Sequence, residues 1–300
     1  MNISKEGLYL INKPRGRSSF SIVAQVRRVS GIKKVGHAGT LDPMATGVLI
    51  IGVERATRLL GHLMLTDKTY TATIRLGIAT HTDDAEGEVL AIADASRVTD
   101  AAVHSGVATL TGEIMQRPSS VSAIKVDGVR SYDRVRSGQE VVLDERPATV
   151  SRFDIKQIRR GEQIIDLDVI VDCSAGTYIR ALARDLGASL GVGGHLTALR
   201  RTRVGAFTIE QALTLDELEE KRIGGGEVIM PLAQVVAATF PVVAVDAATA
   251  TQVLRGIRIP VEPGAQIPGG GVVGLFTSDG RVLSIAEPRD GVYAHLVVFS

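Results

Sequence analysis

The sequence is poor in cysteine and contains no long apolar run. Cys173 is the single cysteine among 300 residues, so neither an intramolecular disulfide nor a cysteine-based zinc site can form. A membrane-spanning helix needs about eighteen or more apolar residues in a row, and no such stretch occurs. The first residues, Met1–Glu6, reach charged side chains at once. These absences predict a cytoplasmic protein in a reducing compartment.

The sequence also lacks an overall excess of positive or negative charge. The 34 Lys and Arg residues nearly balance 33 Asp and Glu, which leaves a formal net charge of +1. Taken alone, this balance argues against nucleic-acid binding. The charge is unevenly distributed, however, because residues 1–60 carry ten basic and three acidic side chains. Arginine supplies 26 of the 34 basic residues; its planar donors suit phosphate oxygens, although the count also fits an arginine-rich genome composition.

The hydrophobic patterns predict a mixed α+β chain. Thr69–Leu76 alternates polar and apolar residues, as a half-buried strand does. Phe20–Val29 and Thr177–Leu190 have the apolar spacing of amphipathic helices. Arg160-Gly161-Glu162 joins two strand-like runs as a hairpin. Because strands and helices alternate irregularly and tight turns are frequent, we expect a mixed, largely antiparallel sheet with flanking helices.

A domain boundary is predicted near Arg222–Met230, where three consecutive glycines follow a charged helical stretch. Residues 1–235 then form one larger domain, and residues 236–300 form a small C-terminal module. The module has one helix candidate, Ala247–Leu254, among several short β-runs. This pattern indicates a compact β-rich unit.

Common nucleotide and metal motifs are absent or out of context. Gly269–Gly274 has the spacing G-x-G-x-x-G, but it follows a proline instead of a strand and opens a β-run instead of a helix. We interpret it as a flexible turn. The chain has no phosphate-binding P-loop motif, and its six histidines never pair at the spacing of a helical metal site.

Two polar features remain. The loop Gly36–Gly47 places several glycines, a proline, His37 and Asp42 between apolar elements, which suits a structured loop at a cleft. Arg180 is predicted in the first turn of a helix, where a cation opposes the helix dipole and invites a paired carboxylate or phosphate. Considered singly, Asp42 fits a turn-capping residue and Tyr70 fits core filling.

These features belong to a larger set of motifs that occur in a fixed order. The motifs are Leu10-Ile11-Asn12-Lys13-Pro14, the loop G-H-A-G-T-L-D-P-M-A-T-G at 36–47, Lys68-Thr69-Tyr70, Thr82-Asp83-Asp84-Ala85-Glu86-Gly87, Gly176-Thr177-Tyr178-Ile179-Arg180 and Leu199-Arg200-Arg201. In this set the chain resembles the TruB family of tRNA pseudouridine synthases over most of residues 7–215. Val121 stands where the family usually has tyrosine, and residues 240–300 resemble the family's PUA-type RNA-binding module loosely.

The resemblance implies a fold, a reaction and partners. The fold is the pseudouridine synthase fold, an α+β domain followed by a small PUA-like module. The reaction is the isomerisation of uridine 55 in the T-loop of tRNA, in which the N1–C1′ bond breaks, the base rotates and C5 bonds to C1′. The resemblance implies tRNA as the partner, a monomer, no metal and no cofactor. Attack of the nucleophile on C1′ and attack on C6 both stay open.

The resemblance also implies the residues of the site. Asp42 is the nucleophile and Arg180 its ion-pair partner. Tyr70 stacks on a target base that has flipped out of the RNA, and its hydroxyl is placed for proton removal from C5. The other matches are His37 as the residue inserted into the vacated T-loop, Leu199 as an apolar wall, Lys13 as a support behind the loop and Asp84 as a polar motif residue.

Two other functions fit part of the sequence. A non-catalytic RNA-binding or tRNA-folding module would explain the arginine excess and the C-terminal region. A glycoside-type hydrolase would use Asp42 with Asp83 or Asp84 as general acid. The combined presence of Asp42, Tyr70 and Arg180 favours the isomerase over both.

Overall fold

A computed structural model describes residues 6–119, 125–126, 129–130, 143–226, 228–261 and 271–300. Val121 and residues 269–270 of the segment Gly269–Gly274 lie outside these residues. Two short 3-10 helices are present, at Glu54–Leu59 and Ile209–Gln211. The α-helices of the described chain are α1 (Ser19–Ser30), α2 (Leu60–Met64), α3 (Asp100–Thr109), α4 (Ile179–Ser189), α5 (Leu215–Ile223), α6 (Leu232–Thr239) and α7 (Ala247–Leu254).

Strands are numbered in the same way. They are β1 (Gly7–Lys13), β2 (Val35–Ala38), β3 (Thr46–Val53), β4 (Lys68–Leu76), β5 (Ile78–Thr80), β6 (Val89–Ile92), β7 (Gly112–Gln116), β8 (Lys125–Val126), β9 (Val129–Arg130), β10 (Arg146–Arg160), β11 (Ile165–Cys173), β12 (Gly194–Val204), β13 (Phe207–Thr208), β14 (Met230–Pro231), β15 (Val242–Val245), β16 (Ile259–Pro260), β17 (Val273–Thr277), β18 (Val282–Arg289) and β19 (Val292–Val298).

The main sheet has the strand order β14-β1-β3-β12-β4-β11-β10-β7, with β2 added beside β3 and β13 beside β12. Neighbouring strands are antiparallel, except that β12 runs parallel to β3 at the pairs Arg200 with Thr46 and Arg201 with Gly47. Helices pack on this sheet, and a second, five-stranded sheet follows near the C-terminus. The predicted fold class, a largely antiparallel α+β domain with a β-rich C-terminal module, is confirmed.

Strand β4 shows how the sequence pattern produces the two faces of the sheet. Its alternate residues Tyr70, Ala72 and Ile74 are buried in a core that also contains residues of α1 and α4. The residues between them face the other way and carry polar bonds, as when Arg75 donates to both carboxylate oxygens of Asp166 at 2.8 and 2.7 Å. The period-2 pattern therefore separates an apolar face, covered by helices, from a polar face.

The predicted helices are present with shifted ends. The first begins after Ser18, whose hydroxyl accepts the backbone N–H of Ser21, and ends at Gly31 in the left-handed conformation. None of the described helices is long and apolar enough to cross a membrane. One difference concerns the loop predicted at Gly36–Gly47. Its first residues form strand β2, so His37 lies on a strand opposite Ile51. Its last two residues begin strand β3, and only residues 39–45 form a loop.

The C-terminal sheet shares a core with the main sheet. Side chains of β1 and β3, including Leu8 and Ile50, lie in one cluster with Val236 of α6 and with Ile285 and Phe299. The chain end is also bonded to the 3-10 helix at residues 54–59, where two arginine guanidiniums donate to the carbonyls of residues 298 and 299. The predicted division at residue 235 therefore runs through a continuous apolar core, and the domain limits themselves stay a prediction.

Strands β3 and β12 approach each other closely at Gly47. Gly47 has a φ of 103°, and a Cβ atom there would lie 2.1 Å from the carbonyl oxygen of Arg201 on β12. A side chain is excluded by both the backbone conformation and the contact. The parallel pairing of β3 with β12 therefore requires glycine at this position.

Replacement of Gly47 by alanine should destabilise the fold, because the methyl group must push β12 away from β3. We expect a loss of about 3 kcal/mol in the free energy of unfolding, measured by urea denaturation. Gly61→Ala is the matched control: Gly61 lies in α2 with no atom near its added Cβ, and alanine there should stabilise by about 0.5 kcal/mol. Equal midpoints for the two variants would contradict the steric argument.

Candidate active site

The loop that carries Asp42 is held from behind by a buried lysine. Lys13, at the end of β1, is completely buried, and its ammonium donates to the carbonyls of Pro14, Arg17 and Pro43 at 2.9, 2.7 and 3.2 Å. Burial lowers the pKa of Lys13 to about 8, against a smaller opposing effect from the carboxylate of Asp42. The lysine thus fastens the residue next to Asp42 to the end of the first strand.

The start of helix α1 fixes the other side of the same loop. The buried Ser19 hydroxyl donates to the carbonyl of Leu41 at 3.1 Å and accepts the backbone N–H of Leu41 at 2.9 Å. The backbone N–H of Gly16 donates to the carbonyl of Pro43 at 2.8 Å. Asp42 is therefore held between two residues whose backbone groups are both bonded to other elements.

Arg180 reaches Asp42 from the first turn of α4. The turn carries no acidic residue of its own, and the Arg180 side chain is only 6% exposed. Its Nε lies 3.0 Å from a carboxylate oxygen of Asp42, and its Nη1 donates to the carbonyl of Thr82 at 2.8 Å and lies 3.5 Å from Asp84. The carboxylate partner that a cation at this helix position calls for is thus present.

The two neighbouring aspartates of the 82–87 motif have different surroundings. Asp84 is buried beside Arg180 and accepts hydrogen bonds from the hydroxyl of Thr82 at 2.5 Å and from the backbone N–H of Glu86 at 3.1 Å. Asp83 points elsewhere, where it accepts the hydroxyl of Ser119 at 2.6 Å and lies 3.2 Å from Arg184. Burial raises the pKa of Asp83, and these two partners oppose that effect.

A cavity of about 430 Å³ opens in front of the Asp42–Arg180 pair. Apolar walls and a few converging polar groups are typical of a small-molecule or base-binding site. Strand β4 contributes Tyr70 and β12 contributes Leu199, both nearly buried. The described residues that line the cavity are Gly39, Thr40, Leu41, Asp42, Met64, Leu65, Lys68, Tyr70, Ala175, Gly176, Thr177, Tyr178, Ile179, Arg180, Leu199 and Arg201.

His37 does not line this cavity among the described residues. It lies on β2 and is half-buried. Of the seven residues singled out from the sequence, Asp42, Tyr70, Arg180 and Leu199 line the cavity. Lys13 and Asp84 lie behind it and contact the loop or the arginine.

Two cationic residues of the cavity, Lys68 and Arg201, were not predicted from the sequence as site residues. Arg201 is 1% exposed and donates to the carbonyls of Val48 at 2.9 Å and Gly39 at 3.0 Å. Lys68 is 6% exposed and donates to the carbonyls of Met64, at 2.9 Å, and Thr66. The sequence motifs contain a signal for both residues, because Lys68 lies two residues before Tyr70 and Arg201 lies two residues after Leu199.

The cavity is electropositive. Lys68, Arg180 and Arg201 line it against the single carboxylate of Asp42. These three lining cations all come from later in the chain than residue 60. None of the basic residues of 1–60 that the structure describes lines this cavity.

The described residues contain no group of three His, Cys, Asp or Glu side chains close enough to hold a metal ion. The thiol of Cys173 lies on β11 and is buried. Burial raises its pKa to about 11, opposed by a hydrogen bond with Thr177. This thiol is accordingly protonated at neutral pH and is a poor nucleophile.

Comparison with known sequences gives consistent matches over the whole chain. Residues 27–179 match the family described as TruB family pseudouridylate synthase (N terminal domain), and residues 180–236 match the tRNA pseudouridylate synthase B C-terminal domain. A relative from Thermobifida fusca, named tRNA pseudouridine synthase B, is 54% identical over 98% of this chain and 99% of its own. One from Streptomyces avermitilis with the same name is 52% identical over 98% and 97%.

Solved structures also resemble this chain. A structure of an H/ACA RNP bound to a substrate RNA containing 2′-deoxyuridine matches with a TM-score of 0.74 and 25% identity, covering 99% of this chain and 86% of that one. A crystal structure of a Cbf5-Nop10-Gar1 complex matches with a TM-score of 0.72 and 25% identity, covering 98% and 84%. The likeness extends over both sheets.

The lowered pKa of Lys13 predicts a pH-dependent stability. In the folded chain the pKa is about 8, below the ordinary value of 10.5, so between these values the unfolded chain binds the extra proton. The wild type should therefore gain stability relative to Lys13→Met as the pH rises from 8 to 10.5, and the difference should be constant below 8. Urea unfolding at several pH values measures it.

Lys33→Met is the control for this experiment, because Lys33 is exposed. Its stability difference from the wild type should not change over the same interval. A Lys13→Met curve parallel to the wild type between pH 8 and 10.5 would show that the lysine is not buried as a charged group.

Proposed function

The chain belongs to the TruB family of pseudouridylate synthases, and on this premise we propose that it converts uridine 55 in the T-loop of tRNA to pseudouridine, with Asp42 as the nucleophile. Membership makes the protein an isomerase. The observation that carries the proposal is the carboxylate of Asp42, held 3.0 Å from a buried guanidinium at the edge of a cavity.

Asp42 is suited to nucleophilic attack by its position. It is half-exposed in the cavity wall, whereas the arginine that pairs with it is buried. The guanidinium stabilises the ionised carboxylate and fixes its direction. The carboxylate forms a covalent bond to the ribose or the uracil ring while the N1–C1′ bond is broken and the base turns. No group is gained or lost, so the proposal needs neither cofactor nor metal.

The cavity is suited to a base that has left the RNA stack. A uridine within a folded loop must be flipped out before its glycosidic bond is accessible, which costs a few kcal/mol. Tyr70 offers an aromatic face for stacking and Leu199 an apolar wall. The three lining cations favour the negative charge that the uracil ring carries once N1 has separated from C1′.

The remaining predicted residues have supporting roles in this proposal. Lys13 maintains the loop, and Asp84 orients the guanidinium of Arg180 from the side opposite the cavity. His37, on β2 outside the cavity, enters the space that the flipped base leaves in the T-loop, where its ring stacks on the neighbouring bases. These assignments divide the seven residues into four that meet the base and three that do not.

Several expectations about partners belong to the same proposal. The relatives are named as tRNA enzymes, and one structural neighbour holds a substrate RNA; both support RNA as the substrate. We propose residues 236–300 as an additional RNA-contacting module and residues 1–235 as the catalytic domain. A monomer and a cytoplasmic location stay predictions.

The hydrolase alternative is disfavoured by the geometry of its second carboxylate. Asp84 shares Arg180 with Asp42 and does not line the cavity among the described residues. Asp83 is bonded to Ser119 and Arg184 and does not line the cavity among the described residues. A non-catalytic RNA-binding role leaves the buried Arg180 and its carboxylates unexplained.

The direct test is incubation with a T-arm stem-loop RNA that contains the target uridine. Pseudouridine at that position alone, located by carbodiimide mapping, is the expected result. Unchanged RNA mass separates isomerisation from hydrolysis, which would leave an abasic site. An abasic product, or pseudouridine at another position only, would overturn the proposal.

Asp42→Asn should fold and bind the stem-loop but form no pseudouridine, because an amide cannot act as the nucleophile. We expect a loss of about 10⁴-fold or more in turnover, measured by single-turnover assay. Asp216→Asn changes an exposed carboxylate in the first turn of α5 and should retain full activity. Turnover by Asp42→Asn at the wild-type rate would remove Asp42 from its role.

Arg180→Lys should reduce turnover by about 10²–10³-fold, because an ammonium cannot contact Asp42, Asp84 and the carbonyl of Thr82 in the same geometry. Arg184→Lys, one helical turn further along α4, is the matched control and should react like the wild type. The same assay measures both, and equal losses in the two variants would assign the effect to the stability of α4.

A further inference from the structure

Helix α4, which carries Arg180, begins without a cap from its own segment. The residue before the helix is Tyr178, whose side chain makes no capping bond to the first turn. In a capping box, a Glu or Gln at the third helical position accepts the N–H of the residue before the helix. Glu217 accepts the N–H of Thr214 in this way at the start of α5, at 2.7 Å. The third residue of α4 is Ala181, whose methyl group cannot accept a hydrogen bond.

A glutamine from a distant strand supplies the missing bond. Gln116 is the last residue of β7 and is only 3% exposed. Its Oε1 accepts the backbone N–H of Tyr178 at 2.7 Å, and its Nε2 donates to the carbonyl of Tyr178 at 3.0 Å. The same carbonyl accepts the N–H of Leu182 at 3.2 Å, which is the first bond of the helix. The paired bonds resemble those between two opposite residues of an antiparallel ladder, so they fix both the position and the direction of the backbone where α4 begins.

The backbone of Tyr178 determines where Arg180 lies, because a single residue separates the two. Both residues line the cavity, whereas Gln116 does not line it among the described residues. The Nε of Arg180 lies 3.0 Å from the carboxylate of Asp42, so a shift of the helix start would change this contact directly. A displacement of a catalytic group by about 1 Å can cost about 100-fold in rate.

An amide side chain is the group that this position requires. It offers one donor and one acceptor without a charge, and the backbone of Tyr178 presents the complementary pair. An ionised glutamate at position 116 would accept the N–H but would have no proton to donate to the carbonyl. A methionine would fill a similar volume and form neither bond. Glutamine therefore holds the start of α4 without adding a charge to it.

We infer that Gln116 is a positioning residue for the isomerisation: it fixes the backbone of Tyr178 and thereby holds the guanidinium of Arg180 against Asp42. The inference rests on the proposed function. Gln116 acts through Arg180 and makes no contact with the substrate. Its loss should therefore slow the chemical step and leave the affinity for RNA unchanged.

The first test compares Gln116→Met with the wild type in single-turnover assays on the stem-loop RNA, with RNA affinity measured separately. We expect the rate to fall about 10-fold, as for the loss of one or two buried hydrogen bonds, and the dissociation constant to stay within about twofold. Gln157→Met is the matched control, because Gln157 is exposed on the neighbouring strand β10. It should match the wild type in both readouts.

A second comparison shows whether Gln116 acts through Arg180. The double variant with Gln116→Met and Arg180→Lys is compared with Arg180→Lys alone. The change at position 116 should then lower the rate by less than about twofold, because the guanidinium that Gln116 positions is already gone. An equal loss in both backgrounds would assign Gln116 to the general stability of the fold and overturn the inference.

The remaining outcomes also decide the question. A wild-type rate for Gln116→Met overturns the inference, as does a loss of RNA affinity that accounts for the slower reaction. If Gln116→Met does not fold by circular dichroism, Gln116→Glu decides: it keeps the shape and one of the two bonds, so it must show a slower rate, unchanged affinity and the same coupling to Arg180→Lys. Absence of pseudouridine with the wild type would instead refute the proposed function, and the inference with it.

Discussion

The geometry of the candidate site depends on the contacts of the buried Arg180 guanidinium. Removing such a charge from water costs several kcal/mol unless anions and carbonyls surround it. Here the partners come from two separate segments, the loop with Asp42 and the turn with Thr82 and Asp84. Each segment is thereby fixed to helix α4. The position of the Asp42 carboxylate is consequently set both by the bonds of its own loop and by its buried partner.

Asp42 and Asp84 both contact Arg180, but their surroundings differ. Asp42 has one side toward the cavity, whereas Asp84 is buried and already accepts a hydroxyl and a backbone N–H. A carboxylate whose acceptor positions are occupied orients its neighbour, and one with an open side can react. Under the proposed function, this difference in environment separates the roles of the two carboxylates.

The sequence was sufficient where the information is local. The alternation of β4, the apolar spacing of α1 and the cation in the first turn of α4 are all properties of neighbouring residues, and the structure has them. The structure differs from the prediction where an element depends on pairing between segments that are distant in the sequence. Strand β2 forms because it pairs with β3. Arg201 lies opposite Tyr70 because β12 pairs with β4. The hydrophobic pattern of a sequence does not reveal the order of strands in a sheet, so Lys68 and Arg201 were not recognised as cavity residues.

The core that the main sheet shares with the C-terminal sheet also depends on contacts between residues that are distant in the sequence. Composition indicated a β-rich module after residue 235, and the structure has a five-stranded sheet there. Its apolar residues nevertheless continue the cluster formed by β1 and β3, which no local pattern reports. A module anchored in this way has a restricted orientation relative to the cavity, and under the proposed function this suits a surface that binds one RNA at two places.

The electropositive cavity gives the uneven charge of the chain a physical interpretation. Lys68 and Arg201 direct their donors at backbone carbonyls, so they provide a positive field for an anionic ring but cannot also grip phosphates. Under the proposed function, contacts to the RNA backbone must come from cations with free access to solvent. The exposed basic residues of the first sixty, among them Arg15, Arg17, Lys33 and Lys34, meet that requirement. A net charge of +1 is then compatible with RNA binding, because the charges that matter are separated into a buried set for chemistry and an exposed set for contact.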